Sequence, residues 1–324
     1  MKNNLKTIAL AAILAGTALL PFHASAQNYP TRPVTIIVPF SPGGPGDITA
    51  RYVAKALQDE LGEPFIIENR SGANGVIAAK FTMEKAPDGY TLLQISSSHT
   101  ANEALYPDRG YVLMRDFEPI APLNLTEMVL IARNDLPIKS VPELIDYAKK
   151  NPNKLLYASS GVGSSYHLAG ELFKTMAGVQ ITHVPYREAA TARTDLMGGH
   201  VDLMFDALPG SISLVQSGKV QGLATTYKDR SPALPNVPTL AETLPGFETT
   251  IFIGLLAPKK TPAAITDKLN GAINKILAKP ETVAFLAKLG GRPMIMSRDE
   301  FTQFLNRDID QTAHLVEISG AKLH

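Results

Sequence analysis

The sequence predicts an α/β fold of two lobes, each a mainly parallel sheet flanked by helices, with two hinge crossings between the lobes. Short apolar runs typical of buried strands alternate with segments of helical periodicity along most of the chain. This alternation occurs as two successive series, and 324 residues are enough for two domains.

The first series contains three strands, each followed by a helix. The predicted strands are Val34 to Phe40, Phe65 to Glu68 and Thr91 to Ile95, and the predicted helices are Ile48 to Leu61, Gly75 to Lys85 and a short helix near Ala101. Alternation of this kind favours a parallel sheet, because each helix returns the chain to the same edge.

The second series repeats the pattern and is followed by a helical tail. Its predicted strands are Met128 to Ala132, Leu155 to Ala158, Ile181 to Val184, Val201 to Phe205 and Val220 to Thr225, with helices Val141 to Lys150, Ser165 to Ala177 and Ala189 to Met197. A Pro-rich stretch, a strand at Ile251 to Ala257 and helices at Pro262 to Ala278, Glu281 to Leu289 and Arg298 to Ser319 complete the chain. If the tail packs on the first lobe, lobe 1 is 27–124 with 227–324 and lobe 2 is 125–226.

The N-terminus has the features of a secretory signal peptide, residues 1–26. Lys2 and Lys6 precede an apolar run at 8–20, which ends in the small residues Ala24-Ser25-Ala26. The run is shorter than the roughly 20 residues that span a bilayer. The sequence has no cysteine, so neither a lipoprotein anchor nor a disulfide is available. We expect cleavage near Ala26 and a periplasmic mature chain.

Composition argues against several partners. A formal net charge of +1, no Trp and no long basic run exclude nucleic acid and anionic lipid as expected partners. The seven histidines are scattered without an H-E-x-x-H motif, so we predict no metal and no cofactor.

The stretch VPFSPGGPGD, residues 38–47, turns the first strand into its helix. In an open parallel sheet, ligands bind at the carboxyl ends of strands, where free N–H groups of a helix start can hold a carboxylate or phosphate. Asp47 is a candidate cap for this helix. A tight turn with nothing bound is the alternative. The candidate ligand-binding residues of this stretch are Phe40, Ser41, Pro42, Gly43, Gly44 and Asp47.

The same construction recurs in the second series. YASSGVGSSYHLAGELF (157–173) and HVPYREAATARTDLMGG (183–199) each place a polar loop between a strand and a helix, and NRSGANG and ISSSHT are weaker copies. Asp206 ends a further strand and is a candidate acceptor in the cleft. The candidate residues from these segments are Ser97, His99, Gly163, Ser164, Ser165, Tyr186, Arg187, Glu188, Ala189 and Asp206.

These motifs, together with APDGYTLL, GGHVDLMFD and SPALPNVPTLAE, resemble the Bug-type receptors of tripartite tricarboxylate transporters over the whole mature chain. The resemblance implies a periplasmic binding protein fold, type II-like, that closes over a small organic acid and delivers it to membrane transporter subunits. It also implies that loops matching Phe40 to Asp47 and Tyr186 to Ala189 hold one ligand carboxylate. We expect a monomer and no enzymatic activity.

The sequence departs from the family pattern at Pro45-Gly46, Glu188 and Arg193. Arg187 and Arg193 are candidates to balance a second carboxylate, with solvent-facing charges as the alternative. The candidate ligands are di- and tricarboxylates, amino acids and aromatic acids. If Phe40 faces the ligand together with Tyr186 instead of packing in the core, a flat or aromatic acid is favoured over a short aliphatic one, with terephthalate as the favourite.

Two other functions fit parts of the sequence. A serine hydrolase would use Ser164 or Ser165 with His167, although no G-x-S-x-G motif is present. A ligand sensor that docks on a membrane histidine kinase would have the same sequence features as a transport receptor.

Overall fold

The computed structural model describes residues 28–319. The predicted signal peptide, residues 1–26, lies outside the described residues. The described chain forms a mixed ten-stranded sheet with flanking helices, which confirms the predicted α/β class.

Three parallel strands open the first lobe, each followed by a helix. The strands are β1 (Val34–Val38), β2 (Phe65–Asn69) and β3 (Thr91–Ser96), with β1 between the other two. The helices are α1 (Pro45–Leu61), α2 (Val76–Met83) and α3 (Ser97–Leu105), followed by one turn, α4 (Leu113–Asp116). The start of α1 follows from Pro45, whose fixed φ suits the first helical position, after an extended Gly44.

A long strand, β4 (Phe117–Ala132), connects the two halves of the sheet. Its first part pairs antiparallel with β9 (Thr250–Pro258) and β10 (Gly291–Pro293), and its last five residues pair with β7 (Leu203–Ala207) and β8 (Gln221–Thr225). The sequence predicts only the last five residues as strand. Pro119 and Pro122 lie beside register shifts in the pairing with β9, where the strand tolerates residues that cannot donate to the ladder.

The second lobe repeats the parallel arrangement. Its strands β5 (Leu156–Ser159), β6 (Thr182–Pro185) and β7 alternate with α5 (Val141–Lys150), α6 (Ser165–Ala177), α7 (Ala189–Met197) and α8 (Leu208–Gln216). The tail contains α9 (Ala263–Leu277), α10 (Pro280–Lys288) and α11 (Arg298–Ser319). The sheet is therefore parallel in β1 to β3 and β5 to β7, and antiparallel around β4 and β9.

The apolar cores group residues of the segment before β9 with the second lobe. Leu234, Leu240 and Phe247 pack with second-lobe residues, although the sequence-based boundary places 227–249 in lobe 1. From Phe252 of β9 onward, the buried residues of this strand pack in the first-lobe core. We therefore propose that the return crossing lies near Thr250, which is paired with Glu127 of β4, so that the two crossings run side by side.

Helix α11 also spans the two lobes. Its Leu315 and Val316 pack with Ala101 and Leu105 of α3 and with Leu168 of α6. This small apolar cluster gives the lobes a second contact besides the paired strands. Within residues 28–319, no helix combines the length and apolar character that crossing a bilayer requires.

Candidate functional site

The candidate site residues lie where β1, β3, β5, β6 and β7 end and the next helices begin. Because neighbouring parallel strands end at the same edge of a sheet, each lobe collects its loops on one side.

In the first lobe, Asp47 holds the glycine loop in place. Its side chain is only 2 % exposed, and Oδ2 accepts the N–H of Gly43 and the Nε of Arg51, both at 2.9 Å. Oδ1 accepts the Asn69 amide at 2.8 Å. Burial alone would raise the pKa of Asp47, but these hydrogen bonds lower it below its usual value. Asp47 lies in the first turn of α1 rather than at the predicted cap position, which Gly44 occupies.

Phe40 covers the start of α1. A Cβ on Gly46 would lie 2.4 Å from the Phe40 ring, so only glycine allows the ring this close to the helix backbone. Ser41, Pro42 and Gly43 are exposed, and Gly43 has a φ of 82°, which favours glycine. The exposed part of the loop is therefore the part available to a ligand.

In the second lobe, Ser164 caps α6. Its Oγ accepts the His167 N–H at 3.3 Å and donates to the Gly161 carbonyl at 2.8 Å. Gly163 has a φ of 77°, and a Cβ there would lie 2.4 Å from Leu105 of α3. The loop therefore packs directly against the first lobe.

The loop before α7 is more exposed. The Tyr186 N–H donates to the Ser159 carbonyl at 3.0 Å, and its hydroxyl donates to Asp195 at 2.8 Å. Burial, together with this bond to Asp195, raises the pKa of Tyr186 to about 12. Arg187 and Glu188 are exposed, and no described residue forms an ion pair with Arg187.

Two candidates lie beneath the surface instead of facing a ligand. The Asp206 side chain is fully buried, and it accepts Arg193 Nη1 at 3.0 Å and the Ser211 hydroxyl at 2.6 Å. Arg193 is thus the partner of Asp206, not a solvent-facing charge.

His99 is also fully buried. Its Nδ1 accepts the Ser96 N–H at 3.2 Å, and burial lowers its pKa to about 4. Asp206 therefore connects α7 with α8, and His99 supports the start of α3, so both side chains are closed off from a ligand.

Ser97 and Ser165 come from different lobes and line one cavity of about 490 Å³. Thr250 at the hinge and Asp308 and Gln311 of α11 also line this cavity. The loops at 40–47 and 186–189 do not line it. No hydrogen bond or ion pair between described residues joins these two loops to each other.

Free N–H groups are the chemical feature that the two lobes share. The first-turn N–H groups of a helix have no partner within it. Within residues 28–319, no group accepts the N–H of Gly46 or Asp47 in α1, of Ser165 or Tyr166 in α6, or of residues 187–191 at the start of α7. Such groups, at the positive ends of helices, suit an anion.

The geometry does not provide a nucleophile and base. His167 Nδ1 accepts the Gly163 N–H at 3.2 Å, and the Ser164 hydroxyl donates to a carbonyl. A serine and a histidine side chain do meet at Ser159 and His183, 2.7 Å apart, but Ser159 is fully buried. No group of three or more His, Cys, Asp or Glu residues suited to a metal ion occurs in the described part of the chain.

Two α/β lobes, each with unpartnered helix-start N–H groups at the carboxyl ends of its strands, are typical of solute-binding proteins. Residues 49–320 match the TctC family, described as tripartite tricarboxylate transporter family receptor. Protein BugT of Bordetella pertussis is 36% identical over 324 residues, 99% of each chain. The chain belongs to this receptor family, whose members are periplasmic solute receptors and not enzymes.

Solved structures agree with this assignment. R. palustris Rpa4515 with adipate has a TM-score of 0.82 and 37% identity, covering 91% of this chain and 100% of its own. MatC from Rhodopseudomonas palustris, solved with bound malate, has a TM-score of 0.76 and 33% identity, covering 89% of this chain and 100% of its own.

Sequence reasoning missed several supporting residues. Asn69, Arg51 and His183 hold the loops, and none was singled out. Asn69 ends β2 directly before the glycine-containing loop at 70–75, so its position at a strand end was the available signal. His183 carried no such signal, because its contact with Ser159 depends on the pairing of β5 with β6.

Proposed function

We propose that the protein captures a dicarboxylate between its lobes and delivers it to the membrane subunits of a tripartite transporter. The observation that carries the proposal is the set of free helix-start N–H groups in both lobes, at α1, α6 and α7. An anion that bridges these groups stabilises the closed arrangement, because the open arrangement lacks one half of its contacts.

The exposed Arg187 supports a second carboxylate at the far end of the ligand, since a guanidinium binds a carboxylate bidentately. Relatives solved with adipate and malate support the dicarboxylate class. Phe40 and Tyr186 favour an aromatic member such as terephthalate. Adipate, malate, tricarballylate, terephthalate and aspartate form the panel that separates these ligands by thermal shift.

Ser165→Pro tests the site. Ser165 is the first residue of α6, where proline fits the helix but removes one free N–H. We expect the affinity for the best panel ligand to fall roughly ten- to hundredfold, the effect of about 1.5–3 kcal/mol for a hydrogen bond to a charged group. Isothermal titration calorimetry measures it.

Ala263→Pro is the matched control, because Ala263 is the first residue of α9 and is exposed. Both variants should keep the wild-type circular dichroism and melting temperature without ligand. Unchanged affinity in Ser165→Pro would contradict the proposed site, and a panel without any binder would contradict the dicarboxylate class. Labelling of wild type by a serine-directed phosphonate would instead support a hydrolase.

A further inference from the structure

Two histidines lie beneath the Gly161–Ser165 loop of the second lobe. His167 belongs to α6 and His183 to β6, and their ring centroids are 4.2 Å apart. The Tyr157 ring stacks on His183, with centroids 4.8 Å apart. All three side chains are largely removed from solvent. The pair is used neither by the fold as apolar core nor by the proposed ligand contacts.

Each histidine holds a different part of the loop. His167 Nδ1 accepts the Gly163 N–H at 3.2 Å. His183 Nε2 lies 2.7 Å from the Ser159 hydroxyl, which in turn accepts the Gly161 N–H at 3.1 Å. The two rings therefore fix the loop at two points: His167 at Gly163 directly, and His183 at Gly161 through Ser159. Both points lie directly before the free N–H groups of Ser165 and Tyr166.

The bond to Gly163 requires one protonation state of His167. A nitrogen that accepts a hydrogen bond carries no proton, so Nδ1 must be bare and the ring neutral with its proton on Nε2. Nε2 faces Glu171 Oε1 at 3.9 Å. Protonation at Nδ1 would turn the acceptor into a donor and break the contact with Gly163.

Burial favours the neutral ring of His167. Burial lowers the pKa of His167, with Glu171 opposing this and Lys174 adding to it. Burial, His167 and Lys174 lower the pKa of His183 to about 3. Glu171 is itself engaged, since it accepts the Tyr157 hydroxyl and the Lys174 ammonium. Tyr157 of β5 and Glu171 and Lys174 of α6 are the three titratable groups that face the pair.

We propose that His167 and His183 are positioning residues that hold the Gly161–Ser165 loop in its ligand-binding shape, with His167 acting as a neutral acceptor at Nδ1. The inference rests on the proposed function of that loop. At acid pH, protonation of His167 Nδ1 breaks its hydrogen bond with Gly163. The N–H groups of the loop that hold the carboxylate then lose their fixed orientation.

Two substitutions separate the acceptor from the ring. His167→Asn places an oxygen near the Nδ1 position and does not titrate, whereas His167→Leu removes the acceptor. We expect His167→Leu to weaken adipate binding roughly tenfold at about pH 7.5, and His167→Asn to stay within about threefold of wild type. His200→Asn is the control, since His200 is exposed beyond the end of α7. Equal affinities for Leu and Asn variants would overturn the role of the acceptor.

The pH dependence gives a second test. Between about pH 7.5 and about pH 4.5, wild type should lose more affinity for adipate than His167→Asn, because only wild type can protonate Nδ1. The protonation of adipate itself is the same in both proteins and cancels in the ratio. A ratio that stays constant with pH would contradict the proposal.

A measurement without ligand keeps this inference separate from the proposed function. In ¹⁵N spectra of wild type, His167 should show an unprotonated Nδ1, and the Gly163 amide should exchange more slowly than in His167→Leu. If those spectra agree but no panel ligand binds, the proposed function fails and the positioning role stands. A protonated Nδ1 at neutral pH would overturn the positioning role itself, whatever the variants bind.

Discussion

At the residue scale, polar side chains beneath the proposed site hold its loops in place without contacting the ligand themselves. Asp47 accepts the N–H of Gly43, and His167 accepts the N–H of Gly163. His183 forms a hydrogen bond with the Ser159 hydroxyl at the start of the second loop. A glycine-rich loop has more conformational freedom than any other segment, so its shape must be fixed by such contacts. The residues that support a loop therefore decide how well its free N–H groups are aimed.

Asp47→Asn tests this support in the first lobe. The variant keeps the size of the side chain but loses the charge that Arg51 and the Gly43 N–H contact. We expect a loss of about 1–3 kcal/mol in the free energy of unfolding at about pH 7, measured by urea denaturation. Because folding lowers the pKa of Asp47, its contribution is present above the unfolded pKa and disappears as pH falls through the folded pKa.

The difference between Asp47→Asn and wild type should therefore shrink in acid. Asp59→Asn is the control on the same helix, since the Asp59 pair with Lys55 is exposed on both sides and should contribute less than about 1 kcal/mol. A cost in Asp47→Asn no larger than in Asp59→Asn would show that the loop does not depend on the buried carboxylate.

The sequence predicted the candidate loops but not the orientation of their side chains. Phe40 to Asp47 and Gly163 to Ser165 follow from strand, loop and helix patterns, which are local. Whether Asp206 faces a ligand depends on Arg193 and Ser211, whose positions depend on the packing of α7 and α8 against β7. Partners of this kind are set by tertiary structure, so spacing alone could not identify them.

At the element scale, the predictions succeeded where the ends of an element carry their own signals. Helices α5 and α6 have the predicted bounds because Ser140 and Ser164 cap their starts and Gly178 ends α6 in a left-handed conformation. The first part of β4 was missed because Pro119 and Pro122 argue against a strand. Its pairing with β9 compensates through register shifts, which no local pattern reveals.

Asp308 of helix α11 is a carboxyl group with a raised pKa. This carboxyl lines the cavity near the hinge and accepts the Thr100 hydroxyl at 2.6 Å, without an ion-pair partner among the described residues. Burial raises the pKa of Asp308 to about 6. A raised carboxyl pKa means that the stability this group provides is full below its unfolded pKa and is lost as pH rises through about 6.

Asp308→Asn should abolish the loss of stability at high pH, because the Asn side chain can still accept the Thr100 hydroxyl and carries no charge. We expect the variant to be more stable than wild type by about 1–3 kcal/mol at about pH 8, with the difference vanishing near pH 4 or so. Denaturation across that range measures it, with the exposed Asp310→Asn on the same helix as control. A variant no more stable than wild type at high pH would mean that Asp308 is not held neutral by the fold.

At the scale of the whole molecule, the two lobes are connected by β4 and β9 at one place and by α11 at another. The paired residues Glu127 and Thr250 mark the strand connection. The Glu127 side chain is only 2 % exposed, and its Oε1 accepts Arg292 Nε at 3.0 Å and Nη2 at 2.8 Å. The Arg292 guanidinium also lies over the Tyr227 ring, 4.7 Å from its centroid. Arg292 of the first lobe therefore contacts both the hinge strand and a segment next to β8.

This ion pair should matter far more than a surface pair, because its loss leaves a buried carboxylate at the hinge without a partner. Removing one partner of a buried pair costs about 3–5 kcal/mol, so we expect Arg292→Met to lower the free energy of unfolding by that order. The double variant Arg292→Met with Glu127→Gln should recover much of the loss, since no charge then remains buried. Arg230→Met is the control, because its pair with Glu242 is exposed on both sides and its loss should cost far less. Chemical denaturation of the four proteins decides the matter: a loss in Arg292→Met that the second substitution does not relieve, or that equals the loss in Arg230→Met, would show that the hinge does not depend on this buried charge pair.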